Sequence, residues 1–588
     1  MNLHFDRRAP PNEGQRYVFG IQQFDTEGGP PLSDRELERR WAQFHHNIRV
    51  ISGNRLEQTV GRMLGENTYR YKVARFFGRP LLIVLRKLRH KTDVVTERQH
   101  AVVLEVPETL YFPINYRPHL VTPIRISTTP STFASIEVVV LEEGGDDAAP
   151  PTEQLNELLE TTQAQWLFLL DSAATSFDRN ATLLALISEA RADDDVVFAD
   201  EAGTNPASPI LKSAAVGPHT LLSYNVVGRP ALLSVAALRR LGGFSTEAGW
   251  AFEHDAYLRL SEQGARFHHV AKVLPAGQPT SMFTPARISD DSCRVVQSSL
   301  LRRGWPGTVE AGELSGLVRW TIEPPSPAPS IDIVIPTRDR LDLVLQCIGS
   351  IEDKTTYGNY DIIILDNDSK DPATLEYFAT CNYRVVPCPG PFNYAAIVNR
   401  GIKQSKADFV LTLNNDTIVV TPDWLERMVG LASLPDVGFV GGCLLDQEGR
   451  REHESIVIAP YPQHLRTDSN YTLADRFVAA TRDVAAVTGA VQLVRREFWE
   501  SLGGMDEELR VTMNDVDVCL RSQLAGRHVV YTPDVQLYHH VSSSRGKLDP
   551  LEDRNRFIRR WDIFGSFQDP YFPESLLLLG ETIYYRFR

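Results

Sequence analysis

The sequence predicts an α/β protein: a mixed, mostly parallel sheet with helices on both faces, in two tandem copies, after a helical amino-terminal region. Three observations predict it. Short apolar runs end abruptly in polar clusters, as in IDIVIP (331–336), YDIIILDND (360–368) and ADFVLTLNNDT (407–417), which is how strands buried on both faces and closed by loops read. Between the first two, Leu341, Leu343, Val344, Cys347, Ile348 and Ile351 recur at helical spacing, giving a strand–helix–strand unit. The later part of this pattern also stands upstream, in residues 101–290.

In open parallel sheets ligands bind beyond the carboxyl ends of the strands. Asp366 stands at such an end and can accept hydrogen bonds from a nucleotide's base or ribose, although an Asp after a strand also forms turns. LNNDT ends the next strand with Asn414, Asn415 and Asp416. One carboxylate with outer amides suits Mg²⁺ or Mn²⁺, which can bridge two phosphates; an Asn/Asp turn has the same composition. In NDVDVCLR (514–521) Asp515 begins a helix, where the helix dipole favours the ionised carboxylate that a general base requires. Asp517 either orients Asp515, contacts an acceptor, or caps the helix with it. VVYTPDVQLYHH brings His539 to a strand end, where an imidazole can complete a cation site already held by an Asp. Arg545 or Lys547, just beyond, can balance phosphate charge.

With these pieces in order, the chain resembles the inverting family 2 glycosyltransferases of the GT-A fold, especially the bacterial rhamnosyltransferase-like enzymes of O-antigen and capsule synthesis. IPTRDR, LDNDS, PFNYAAIVNRG, LNNDT, VTGAVQLVRREFW, LGGMDEEL, NDVDVCLR and YHHVSSSRG carry the resemblance over residues 330–561. It implies a catalytic base at Asp515 with Asp517 beside it, and a divalent cation on Asp416 and His539. The implied nucleotide site comprises Pro336, Thr337, Arg338, Asp366, Asn393, Asn399, Asn414 and Asn415. Asn414 departs from the family's Asp-x-Asp pattern, as rhamnosyltransferase-like relatives commonly do. The implied partners are a nucleotide-diphosphate sugar, with deoxythymidine-diphosphate rhamnose favoured, and a glycan or lipid-linked glycan acceptor.

The upstream repeat runs through LLSVAALRRLGGF (232–244) and WAFEHDAYLRLSEQGARFHHVAKVL (250–274). With a one-residue shift after the glycines, Glu253, Asp255 and Arg259 stand opposite Asp515, Asp517 and Arg521, while Ala173 stands opposite Asp416. Glu142 falls near the place of Asp366. Residues 101–290 are therefore expected to form a degenerate GT-A-like domain; a second, metal-independent site built on Glu253 is the competing expectation. Residues 291–330 connect it to a catalytic domain at 331–588, and TIEPPSPAPS (321–330) reads as a stiff linker.

Residues 1–100 are expected to be helical. Tyr69–Lys91 carries eight basic and no acidic residues with apolar positions at near-helical spacing, which fits a helix lying on an anionic membrane or one packed on its own domain. Across 588 residues the net charge is −14, which argues against a general nucleic-acid binder. Six cysteines lack metal or redox spacing, and neither a signal core nor a membrane-length apolar run is present. The expectation is a cytoplasmic protein, peripheral at the inner membrane if the basic helix binds lipid. Two other classes compete: a glycan-binding or scaffolding descendant without activity, and a nucleotidyltransferase, which would not account for NDVDVCLR and YHH together.

Overall fold

The computed structural model describes residues 110–113, 136–141, 150–171, 176–201, 210–274, 285–459, 461–466, 475–540, 550–563, 567–574, 576–579 and 582–587. They fall into two compact units. The smaller contains a three-stranded antiparallel sheet in which Thr582–Phe587 pairs with both Leu110–Pro113 and Leu576–Leu579. The carboxyl-terminal strands thus pair with residues 110–113 in the smaller unit, whereas the catalytic domain was expected to run over 331–588. The amino-terminal helical region, the basic segment Tyr69–Lys91, Glu142, Ala173, Arg545 and Lys547 lie outside the described residues.

The first half of the larger unit is a five-stranded sheet of β1 (Ile136–Leu141), β2 (Trp166–Asp171), β3 (Val196–Glu201), β4 (Ala231–Ser234) and β5 (Phe267–Leu274), in the order β1-β2-β4-β3-β5. Its helices include α1 (Thr152–Thr161), α2 (Pro218–Ser223) and α3 (Phe252–Glu262).

The second half is a ten-stranded sheet. Its strands are β6 (Ile331–Thr337), β7 (Tyr360–Asp366), β8 (Arg384–Pro387), β9 (Phe409–Leu413), β10 (Thr417–Val419), β11 (Val437–Leu445), β12 (Arg451–His453), β13 (Arg482–Asp483), β14 (Val491–Arg495) and β15 (His528–His539). The order is β8-β7-β6-β9-β14-β11-β15-β10, with β12 on β11 and β13 on β15. β7 and β9 flank β6 in parallel. Residues 331–335 of β6 are buried without alternation, as a strand covered on both faces requires. The helices used below are α4 (Tyr394–Ile402), α5 (Asn514–Leu524) and α6 (Leu551–Trp561).

The two sheets share a pattern. In both β1-β2-β4-β3-β5 and β6-β9-β14-β11-β15 the four successive pairings run parallel, antiparallel, antiparallel, parallel. By this order β1 takes the place of β6, so among the described residues no first-half strand occupies the position of β7, where Glu142 was expected to echo Asp366.

The likeness extends to side chains. Arg259 bonds Asp255 at 2.7 Å and the carbonyls of Leu241 and Gly243; Arg521 bonds Asp517 at 2.8 Å and the carbonyls of Leu502 and Gly504. Asn156 exchanges two hydrogen bonds with the backbone of Phe244, as Asn399 does with Met505. Gly504, with φ of 72°, lets this loop close: a Cβ there would lie 2.5 Å from Asn399 Oδ1.

One apolar core runs through both halves, from Leu233, Phe252 and Tyr257 through Trp320 and Ile322 to Leu411 and Leu493. The proline-rich stretch after Ile322 is largely exposed, yet the halves it joins are packed together.

Candidate functional site

Parallel pairing places the carboxyl ends of β7 and β6 side by side, with Asp366 opposite Thr337. The turn after β9 is fastened to them, because the buried Asn415 donates from Nδ2 to Thr337 Oγ1 at 2.9 Å. Asp366 Oδ1 accepts from Ser369 N at 2.9 Å, a turn bond that engages one carboxylate oxygen. Pro336 is half-buried and Arg338 exposed at the same edge. Asp339, Arg340 and Asp368, all non-glycine residues with positive φ, adjoin these strand ends, and Met513, the residue before α5, is another. Such conformations cost about 1–3 kcal/mol each and gather at ligand sites.

β10 and β15 pair antiparallel with Thr417 opposite His539, which brings Asp416 to a histidine more than a hundred residues away. His539 Nε2 lies 3.4 Å from Asp416 Oδ1 and 3.4 Å from Asn414 Nδ2. On the other edge of the ring, Nδ1 lies 3.7 Å from Oε2 of Glu452, on β12. Burial opposes charge on His539, but the carboxylates of Asp416 and Glu452 on either edge of the ring prevail and push it up to about 9. Asp416 Oδ1 and Glu452 Oε2 are buried and lack hydrogen-bond partners among the described residues. A buried carboxylate oxygen without a donor is costly. Asp416, with an imidazole beside it, fits a hard divalent cation.

Asp515 stands at the second position of α5, half-buried. Its Oδ2 accepts from Gly489 N at 2.9 Å and its Oδ1 from Val516 N at 2.9 Å. The neighbouring Ala490 carbonyl accepts from Asn414 N at 3.1 Å. The turn at 488–490 thus ties the Asp515 helix to the Asp416 turn.

Three expected site residues do other work. Asp517 is fully buried, held by Arg521, by Arg560 at 2.7 Å and by Trp561 Nε1 at 3.0 Å; it fixes α5 to α6 and the glycine loop and has no edge left for an acceptor. Asn393 caps α4 by accepting from Ala396 N and donates to the Glu507 carbonyl. Asn399 spends its amide on Met505 and Glu507. Asn399→Ala is therefore expected to lower unfolding free energy by about 1–3 kcal/mol in denaturant titration while leaving nucleotide affinity within twofold; a selective loss of nucleotide affinity would return Asn399 to the binding site.

The first half offers a contrast. Glu253, opposite Asp515 in the repeat, is clasped by Arg229 at 2.8 and 3.2 Å. Lys212 bonds the carbonyls of Val227 and Arg229, and burial lowers it to about 8 against the pull of Glu201, Asp200 and Glu253. Both oxygens of Glu253 are thus engaged by a cation of the chain itself.

A separate cluster of His219, Asp483 and His528 is close enough to hold an ion. Asp483 Oδ1 lies 2.8 Å from His219 Nδ1 and 3.1 Å from His528 Nδ1, while Oδ2 accepts from His219 N, Thr220 N and Thr220 Oγ1. A carboxylate so fully hydrogen-bonded acts as a clamp between the halves.

Residues 332–502 match the family model described as Glycosyl transferase family 2. This segment is a family 2 glycosyltransferase domain. The whole chain is similar to an uncharacterized protein of Sinorhizobium fredii, 27% identical over 97% of this chain and 67% of that protein. It is also similar to the O-antigen biosynthesis protein RfbC of Myxococcus xanthus, 28% identical over 78% of this chain and 37% of the relative; the chain spans well under half of that protein. An N-acetylglucosaminyl-diphospho-decaprenol L-rhamnosyltransferase of Mycobacterium tuberculosis is 27% identical over 32% of this chain and 69% of its own length. The family model and the names of the last two relatives agree with the rhamnosyltransferase-like family 2 resemblance read from the motifs. Among the described residues no helix is long and apolar enough to cross a membrane.

Glu452 was missed by sequence reasoning. It sits in REHES, more than thirty residues after Asp416, with no motif to mark it.

Proposed function

We propose that the second half of the chain is a metal-dependent, inverting glycosyltransferase that moves a sugar from a nucleotide diphosphate to a glycan or lipid-linked glycan. The observation that carries this reading is the unpartnered Asp416 Oδ1 beside His539, tied through the turn at 488–490 to Asp515. Asp515 takes the proton of the acceptor hydroxyl as its oxygen bonds to the anomeric carbon. The bond from that carbon to the diphosphate oxygen breaks with inversion, and the nucleoside diphosphate leaves. Asp416 and His539 would hold a divalent cation, which supplies charge neutralisation on the leaving diphosphate. Thr337, Arg338 and Asp366 border the space for the nucleotide. The names of two relatives favour rhamnose as the sugar and surface polysaccharide as the product.

The decisive experiment is nucleoside diphosphate release from a panel of nucleotide sugars, with and without Mn²⁺ and with candidate acceptors. Mn²⁺-dependent release from one donor, abolished by Asp416→Ala, is expected. No release and no nucleotide binding by calorimetry would favour a binding or scaffolding protein.

In the same reading the first half is a degenerate copy that supports the second. The Arg229–Glu253 pair favours it. Glu253→Gln is expected to leave transfer within twofold of wild type; a hundredfold loss would make Glu253 a second base.

A further inference from the structure

We infer that Glu452 is a positioning residue for the cation site, accepting from Nδ1–H of His539 so that the Nε2 lone pair turns toward Asp416. This rests on the metal-dependent reading of the site. Its first support is backbone geometry. In the β11–β12 ladder Leu444 faces His453 and Leu445 faces Arg451, so Glu452 is the extra residue of a bulge. Bulges re-aim one side chain and recur beside active sites. β11 pairs in turn with β15, Leu445 facing Tyr538, which sets the bulge next to the strand end that carries His539.

The second support is the arrangement across the ring. Oε2 of Glu452 is buried without a hydrogen-bond partner, 3.7 Å from Nδ1, and Asp416 Oδ1 is likewise unpartnered, 3.4 Å from Nε2. The two carboxylates occupy opposite edges of one imidazole, so Glu452 stands behind the ligand instead of joining Asp416 on the same ion. Arg466, 3.7 Å from Oε1, steadies the carboxylate from the far side. A histidine that offers one nitrogen to a metal commonly donates the other to such a carboxylate, which fixes its tautomer and ring orientation.

The test is Mn²⁺ binding to the full chain, by calorimetry and by the electron paramagnetic resonance of free Mn²⁺, alone and with deoxythymidine diphosphate. Glu452→Ala is expected to weaken Mn²⁺ binding about 10–100-fold. Glu452→Gln, nearly isosteric and still offering Nδ1 an amide oxygen, is expected to fold normally and to weaken it severalfold. Mn²⁺ binding unchanged in both variants but lost in Asp416→Ala would overturn the role of Glu452 and leave the proposed activity standing. No Mn²⁺ binding by the wild-type chain would overturn the metal site itself, and this role with it.

Discussion

Asp515→Asn is expected to lower the turnover of sugar transfer by about 10²–10⁴-fold while donor affinity stays unchanged, because a general base contributes that much. In free energy this is about 3–5 kcal/mol of barrier. The substitution keeps the size of the side chain but not its basicity. Asp515 accepts from two backbone N–H groups, Gly489 on one oxygen and Val516 on the other, and an amide can serve only one of them. Turnover must therefore be compared after confirming the fold by thermal melting, and donor affinity measured by calorimetry on the same sample. Asp517→Asn supplies the contrast: its loss should appear as instability, since the carboxylate holds Arg521, Arg560 and Trp561. Full turnover in Asp515→Asn would remove Asp515 from the mechanism.

The placement of Asp366 and His539 at strand ends, Asp416 in the turn after a strand and Asp515 at a helix start was legible in the sequence, because a change from apolar to polar residues marks a sheet edge. Asn393, Asn399 and Asp517 stand in equally polar motifs, and nothing local distinguishes a side chain aimed at the ligand from one that caps a helix or fastens a loop. The internal repeat could have drawn that distinction. Asn156, Asp255 and Arg259 repeat Asn399, Asp517 and Arg521 in a half where Ala173 stands opposite Asp416. What recurs in both halves makes the same hydrogen bonds in each, within the fold. Two features were beyond sequence reading for a different reason. Glu452 reaches its place through a bulge, and His219 meets Asp483 across 264 residues; neither pairing has a local pattern.

The His219–Asp483 clamp gives the largest expected effect on stability. Asp483→Ala should cost about 3–5 kcal/mol, the range for removing one partner of a buried ion pair. Both side chains are fully buried, and Asp436 lies 3.6 Å from the far nitrogen of His219. Burial opposes charge on His219, but Asp483 and Asp436 outweigh it and raise the group from 6.5 to about 10. A raised folded-state value means that the stabilisation is full below about pH 6.5 and fades as pH climbs through about 10. The carboxylates act in the opposite sense. Despite burial, the histidines hold Asp483 well below 3.8 and Asp436 at about 2, so their contribution fades as pH falls below about 3.8. Denaturation midpoints should therefore be highest between about pH 4 and 6.5 and decline toward pH 9, with His219→Gln flattening the alkaline decline. Equal slopes in the two proteins would show that His219 carries no charge in the folded state. The consequence reaches the site, because His528, packed against Asp483, begins the strand that His539 ends. A clamp that loosens at alkaline pH frees one end of the strand whose other end carries His539, the proposed cation ligand, so transfer should decline over the same pH range as stability, and less steeply in His219→Gln.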